Sequence, residues 1–307
     1  SSTIASWQYD NSVLRISRRR FIHGSVAALG LGSTVSLLNA CGGSSSTNNQ
    51  LLPDELQLVQ RFPQVLVPGE VRLPISLAKS SGLVSSAEGF KFPSNLTAKI
   101  VDLSIDKVVI ENVSAELHGA DFAVPYYPFR VDIAEPGNYL LVVDSGPRDG
   151  AAFSVLEQSE VLVPKIGDDL PGFESPTFAD SRGVTPVCTR LPEPCPFHQL
   201  TLTEALTRNM AVAYLVGTPA HCSTGTCAPA LDTMTHAAKE YRDRIAVVHA
   251  EVYTDDTATV VAPAVTALNM TFEPALFIAN SEAKIVDRLD AVFDAKEISA
   301  ALARAGV

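Results

Sequence analysis

The sequence predicts an α+β chain in which an N-terminal antiparallel β-sandwich precedes a C-terminal α/β unit. Three observations predict it. From about residue 56 to 156, β-branched and aromatic residues recur at period two in short runs broken by turn residues. Between Glu157 and Thr201 the composition turns Pro-rich, which excludes a regular helix or central strand. After Thr201, apolar residues at steps of three and four alternate with continuous apolar runs, as amphipathic helices and buried parallel strands require.

The first segment is an address. Ser17-Arg18-Arg19-Arg20-Phe21-Ile22 is followed by an apolar run over 24–38 that is rich in Gly and Ser and too short to span a bilayer. It ends at Leu38-Asn39-Ala40-Cys41, with Leu three residues before the cysteine and a small residue directly before it. The pattern resembles the twin-arginine signal of an exported bacterial lipoprotein. That resemblance implies removal of 1–40, recognition through Arg18 and Arg19, and lipidation at Cys41. Residues 41–54, with Gly42-Gly43-Ser44-Ser45-Ser46, then read as a flexible tether. The protein is expected outside the cytoplasm, anchored to the cell membrane by its acyl chains without crossing it.

Removing 1–40 takes Arg15, Arg18, Arg19, Arg20 and Asp10 from the 23 basic and 34 acidic residues, leaving 19 against 33, a net charge of −14. Such a surface repels nucleic acid and anionic lipid headgroups. The single Trp, Trp7, lies ahead of the signal, so base- or sugar-stacking platforms are not expected.

Residues 55–157 form the predicted sandwich. Val65-Leu66-Val67, Val71-Leu73-Ile75-Leu77, Leu96-Ala98-Ile100-Val101, Val108-Ile110, Phe129-Val131-Ile133, Tyr139-Leu141-Val143 and Ala152-Phe153-Val155 supply seven strands. Pro68-Gly69, Ser80-Ser81-Gly82, Pro136-Gly137-Asn138 and Ser145-Gly146-Pro147 separate them. Seven short strands at this spacing suit an antiparallel sandwich. The stretch from Phe129 through Glu135-Pro136-Gly137-Asn138-Tyr139 to Val143 resembles the late strand, turn and strand of an immunoglobulin-like domain, which implies that Tyr139 ties the corner. The sandwich reads equally as a partner-binding module and as support for its neighbour.

Residues 158–200 read as a strap between the two domains. It carries Cys188 and Cys195, and a structural disulfide between them would staple a loop with little core of its own. His198 is nearby, but Cys188-x6-Cys195-x2-His198 does not match the usual zinc spacing, so no metal site is expected.

Residues 201–307 carry the remaining elements. Thr201-Leu202-Thr203-Glu204 fits a capping box opening a helix to Arg208. Residues 211–216 and 245–252 are buried strands, and Leu231, Met234, Ala238, Tyr241 and Ile245 mark the face of a long helix between them. Val261, Val265 and Leu268 mark another helix, 275–279 and 284–289 form a hairpin, and Ile298, Ala301, Leu302 and Ala305 face inward from a last helix.

Cys222-Ser223-Thr224-Gly225-Thr226-Cys227-Ala228-Pro229 stands between the first strand and the long helix, and Phe272-Glu273-Pro274-Ala275 stands just before the hairpin. This order resembles the thioredoxin fold. The resemblance implies a nucleophilic Cys222, a resolving Cys227 and a proline, Pro274, shaping the peptide-binding edge beside them, with no cofactor. A helix N-terminus would favour the Cys222 thiolate, and His221, if protonated, would add to it. The sequence departs from the family in placing four residues between the cysteines and in lacking the Trp before the motif. An alternative register makes Cys227 the first cysteine and Ala230 the substitute for the second. No acid occurs in 211–216 to accept a proton; Glu251 on the next strand is the candidate.

Four cysteines beyond Cys41 allow three pairings, of which Cys188 with Cys195 and Cys222 with Cys227 close the shortest loops. Three functions follow. The first is thiol-disulfide exchange with exported proteins carrying thiols or disulfides, or with a membrane redox partner, by a monomeric enzyme. The second is a non-catalytic surface adaptor stiffened by both disulfides. The third is copper handling like that of copper-delivery proteins of the same fold, with His249 as the distant ligand. No Gly-x-Ser-x-Gly elbow or His-Glu-x-x-His motif points to a hydrolase.

Overall fold

The computed structural model describes residue 52 and residues 55–144, 146–147 and 149–307. Arg18, Arg19 and Cys41, with the rest of the segment expected to be an export signal, lie outside them. Among the described residues no helix is long and apolar enough to cross a membrane.

The N-terminal half is two facing antiparallel sheets. In one, β2 (Gly69–Lys79) pairs with β1 (Gln57–Gln60), β3 (Gly82–Leu83) and β6 (Tyr127–Ile133). The other has the order β5 (Lys107–Glu116), β4 (Asn95–Asp102), β7 (Gly137–Val143), β8 (Ala151–Val155). Because side chains alternate along a strand, Leu73, Ile75 and Leu77 of β2 and Phe129 and Val131 of β6 share a core with Leu96, Ala98 and Ile100 of β4, Leu141 of β7 and Phe153 of β8. Tyr139 donates its hydroxyl to the Glu135 carbonyl at 2.9 Å, tying the corner between β6 and β7. Val65-Leu66-Val67 forms no strand; Leu66 makes only an isolated bridge to Val155. Pro63 and Pro68 flank it, and neither has an N–H to extend a ladder.

The C-terminal half begins with α1 (Leu202–Leu206), shorter than expected, with both capping-box bonds between Thr201 and Glu204 formed. Four strands follow in the spatial order β10 (Ile245–Ala250), β9 (Ala211–Val216), β11 (Ala275–Ala279), β12 (Ile285–Asp290). β9 and β10 are parallel, while β11 is antiparallel to both β9 and β12. Val212, Tyr214 and Val216 of β9 enter a core with Val265 of α3 (Pro263–Ala267). Ala213 and Leu215 point the other way, into a core with Leu231 and Met234 of α2 (Cys227–Tyr241) and Ile298 and Leu302 of α4 (Ala295–Arg304). The Pro-rich strap reaches both: Val161, Val163 and Leu170 join the first core, Cys188, Cys195 and Phe197 the second.

The strap does not hold the halves apart; they pack as one compact unit. β2 is buried on both faces, and Arg72, turned away from the sandwich core, meets the C-terminal half. The Arg72 guanidinium donates to Glu297 at 2.7 and 2.6 Å, to the Asp290 carbonyl at 3.1 Å and to the Val292 carbonyl. Tyr126 donates to the same Glu297 carboxylate at 2.7 Å. Asp287 lies between Arg130 at 3.1 Å and Arg304 at 2.6 Å. Asp294 caps α4 through the Glu297 N–H and also bonds His118 and the Gly119 N–H.

Candidate functional site

β9 delivers the chain to a loop over 217–226, and α2 takes over at Cys227. Cys222 and Cys227 are joined as a disulfide, with Cα atoms 5.9 Å apart. Four intervening residues can close this ring because the chain turns sharply between them: Gly225 sits at φ +66°, where a side chain would be strained, and its N–H donates to the Cys222 carbonyl at 3.1 Å. Cys222 is part-exposed and lies just before the helix, where the Cys227 N–H, an unpaired donor of the first turn, points at its Sγ at 3.2 Å. The Thr224 hydroxyl is 3.2 Å from the same sulfur. Cys227 is buried at 1% exposure, so the two sulfurs differ in access.

Pro274, preceded by a cis peptide bond, stands beside this pair. Gly217 lies between: a Cβ there would fall 3.1 Å from the Pro274 ring carbon, a tight contact that would push the proline back by a few tenths of an ångström, and 3.5 Å from the Cys227 sulfur. Glu273, next to Pro274, places a carboxylate oxygen 3.4 Å from Cys227 Sγ and accepts the Thr218 N–H at 2.7 Å. Burial pushes its pKa up to about 7, with the nearby Glu251 charge adding to the rise. Once the disulfide is reduced, a carboxyl poised near neutrality against the buried Cys227 sulfur can take or return the thiol proton.

Glu251 does not fill that role. It is buried on β10 and spends its oxygens on the Thr189 N–H at 2.7 Å and the Thr189 hydroxyl at 3.1 Å, with burial raising its pKa. His221 makes an edge contact with Tyr253, ring centres 6.2 Å apart, and its Nε2 has no hydrogen-bond partner.

A second group lies beneath the loop. Cys188, Cys195, His198 and His249 are all buried, and one ligand atom from each falls within 4.8 Å of all the others. The expected Cys188–Cys195 disulfide is not formed; both are free thiols. Each sulfur is instead turned toward His249 Nδ1, at 3.8 Å for Cys188 and 3.5 Å for Cys195, while the Cys195 N–H donates to Cys188 Sγ at 3.4 Å. His249 Nδ1 is also 3.0 Å from His198 Nε2, and its Nε2 donates to the Gly217 carbonyl at 2.8 Å. A hydrogen bond with Cys195 and then the imidazoles hold the Cys188 thiol below the usual range, while Cys195 is pushed up. The strap brings these residues together because the Phe197 carbonyl accepts the His249 N–H at 3.1 Å, laying the strap along the outer edge of β10.

Cys222, Cys227 and Pro274 therefore share one site, whereas Cys188 and Cys195 belong to another. Sequence reasoning missed Glu273, although it stands in the Phe272-Glu273-Pro274-Ala275 stretch that drew attention to Pro274. It also took His249 as a partner for the wrong cysteine pair. No protein-family model matches the chain, and no curated protein does.

Proposed function

We propose that residues 201–307 form a thioredoxin-like domain and that the chain is an extracytoplasmic, membrane-anchored thiol-disulfide exchange protein working through Cys222 and Cys227. The observation that carries this reading is the asymmetry of the pair: a part-exposed Cys222 under helix N–H donation and a buried Cys227 facing the Glu273 carboxyl. The strand order, with the disulfide before the long helix and Pro274 before the hairpin, supports the fold assignment. The sequence pattern carries the export signal and the Cys41 anchor, and the Tyr139 corner bond supports an immunoglobulin-like reading of the two facing antiparallel sheets.

In the reduced protein, Cys222 as thiolate attacks a disulfide of a client protein. One client sulfur leaves as thiolate, and Cys222 holds the other in a mixed disulfide. Glu273 takes the proton of Cys227, whose sulfur then attacks Cys222 Sγ and releases the second client thiolate. Two electrons have passed from the cysteine pair to the client, and the Cys222–Cys227 bond is restored. Run in reverse, the same steps oxidise a client dithiol.

Equilibration of the full chain with glutathione or dithiothreitol buffers, followed by thiol alkylation and mass measurement, tests this reading. A potential above about −300 mV is expected; a lower one marks the bond as an inert staple. The variant Cys227→Ser should accumulate a mixed disulfide through Cys222, and Cys222→Ser should not.

A further inference from the structure

We infer that Cys188, Cys195, His198 and His249 form a closed, four-coordinate site for a divalent zinc-like cation, separate from the exchanging pair. Two thiolates and two neutral imidazoles neutralise a 2+ charge, which is what a fully buried site requires. All four side chains are buried, and none leaves an open position for water or substrate, so the site is structural rather than catalytic.

The spacing of the donor atoms fits. Metal bonds of about 2.3 Å to sulfur and about 2.0–2.1 Å to nitrogen, arranged tetrahedrally, separate sulfur from nitrogen by about 3.6 Å and the two nitrogens by about 3.3 Å. The two sulfurs stand 3.8 and 3.5 Å from His249 Nδ1, and the nitrogens are 3.0 Å apart. Shifts of a few tenths of an ångström bring these three distances to the tetrahedral values, and the remaining donor pairs all lie within 4.8 Å.

The surrounding bonds favour the ligand state. His249 Nε2 gives its proton to the Gly217 carbonyl, a group that only accepts, so Nδ1 carries the lone pair and faces the cluster. The Cys195 N–H points at Cys188 Sγ, as an N–H does toward a metal-bound thiolate. His198 Nδ1 is buried without a hydrogen-bond partner. When His198 Nε2 binds a metal its proton sits on Nδ1, so the ring becomes a donor at that buried atom. Without a metal, His198 Nε2–H has His249 Nδ1 as its acceptor, and the two sulfurs crowd that same atom.

Metal binding would release a proton from each thiol that still holds one and form four metal–ligand bonds, with no change of oxidation state. It would pin the strap to β10 directly below Gly217, the residue that also lies against Cys227 and Pro274.

The test uses the full chain purified under reducing conditions without chelator. Atomic emission should find one zinc per chain, and replacement by cobalt should give the intense visible bands and sulfur-to-cobalt charge transfer of a tetrahedral dithiolate site. Both should be lost in Cys188→Ser/Cys195→Ser and kept in Cys222→Ser/Cys227→Ser, so failure of this site and failure of the exchange reading are distinguishable. The cobalt spectrum of the unsubstituted chain counts thiolates without relying on a variant that folds. Less than one-tenth equivalent of metal after incubation with excess zinc would overturn the inference. So would a cobalt spectrum unchanged by the loss of Cys188 and Cys195, or a Cys188–Cys195 disulfide in the zinc-treated reduced chain.

Discussion

Glu273 is where the chemistry is most sharply set by one side chain. Its pKa is raised to about 7, first by burial and then by Glu251, against 4.5 for a free carboxyl. The folded state therefore binds its proton more tightly than the unfolded chain does. That contribution to stability is complete below pH 4.5 and is lost as pH rises through 7. Glu273→Gln keeps an oxygen for the Thr218 N–H but cannot ionise. The variant should gain up to about 3 kcal/mol relative to the parent between pH 5 and pH 8, less the share screened by partial exposure, as read by chemical denaturation. In the proposed exchange reaction, the step in which Cys227 attacks the mixed disulfide should accelerate with pH around 7 in the parent and lose that inflection in the variant, seen by stopped-flow quenching. Equal pH slopes for the two proteins would remove Glu273 from the mechanism. The cysteine pair and Pro274 were legible in the sequence because their order along the chain resembles a known pattern. Glu273 was not, because its approach to Cys227 depends on a loop folding back across 46 positions. The pairing of His249 with Cys188 and Cys195 depends likewise on the strap lying against β10, which no local spacing reveals.

At the scale of elements, the short helix α1 depends on its cap. Five residues make too few internal hydrogen bonds to hold a helix alone. The Thr201 hydroxyl takes the Glu204 N–H at 3.1 Å, and Glu204 returns to the Thr201 N–H at 2.8 Å. Thr201→Ala removes the first bond and leaves a helix donor unpaired, so a loss of about 1 kcal/mol is expected from calorimetry or denaturant titration. A change within a few tenths of a kcal/mol would mean that the packing of Leu202 and Ala205 alone fixes α1. This cap was readable from four consecutive residues, as were the strands whose apolar residues alternate. β1 was not, since its sequence Gln57-Leu58-Val59-Gln60 is half polar and gains its place by pairing with residues 75–78 of β2 and packing Leu58 against the core. Local pattern specifies an element where the core reads it, and fails where an edge is recruited by a neighbour.

At the scale of the whole molecule, the junction of the two halves is ionic and buried. Arg72 stands between Val71 and Leu73, which face the core of the N-terminal half, and it pairs with Glu297 of α4 from 225 positions away. Burial opposes the charge on Arg72, yet the Glu297 carboxylate and its hydrogen bonds hold the guanidinium pKa above the ordinary value. Removing one member of such a pair strands the other without water, whereas replacing both with apolar groups of similar shape costs much less. Arg72→Met should therefore destabilise the chain by about 3–5 kcal/mol, and adding Glu297→Met should recover part of that loss. Recovery should be incomplete, because the Tyr126 hydroxyl then loses its acceptor and the Asp290 and Val292 carbonyls remain without the guanidinium. Since this network ties the sandwich to the C-terminal half, the parent should unfold in one calorimetric transition, and Arg72→Met should separate it into two. A parent that already melts in two steps, or a variant that loses less than about 1 kcal/mol, the range of an exposed ion pair, would show that the halves are stable independently of this junction.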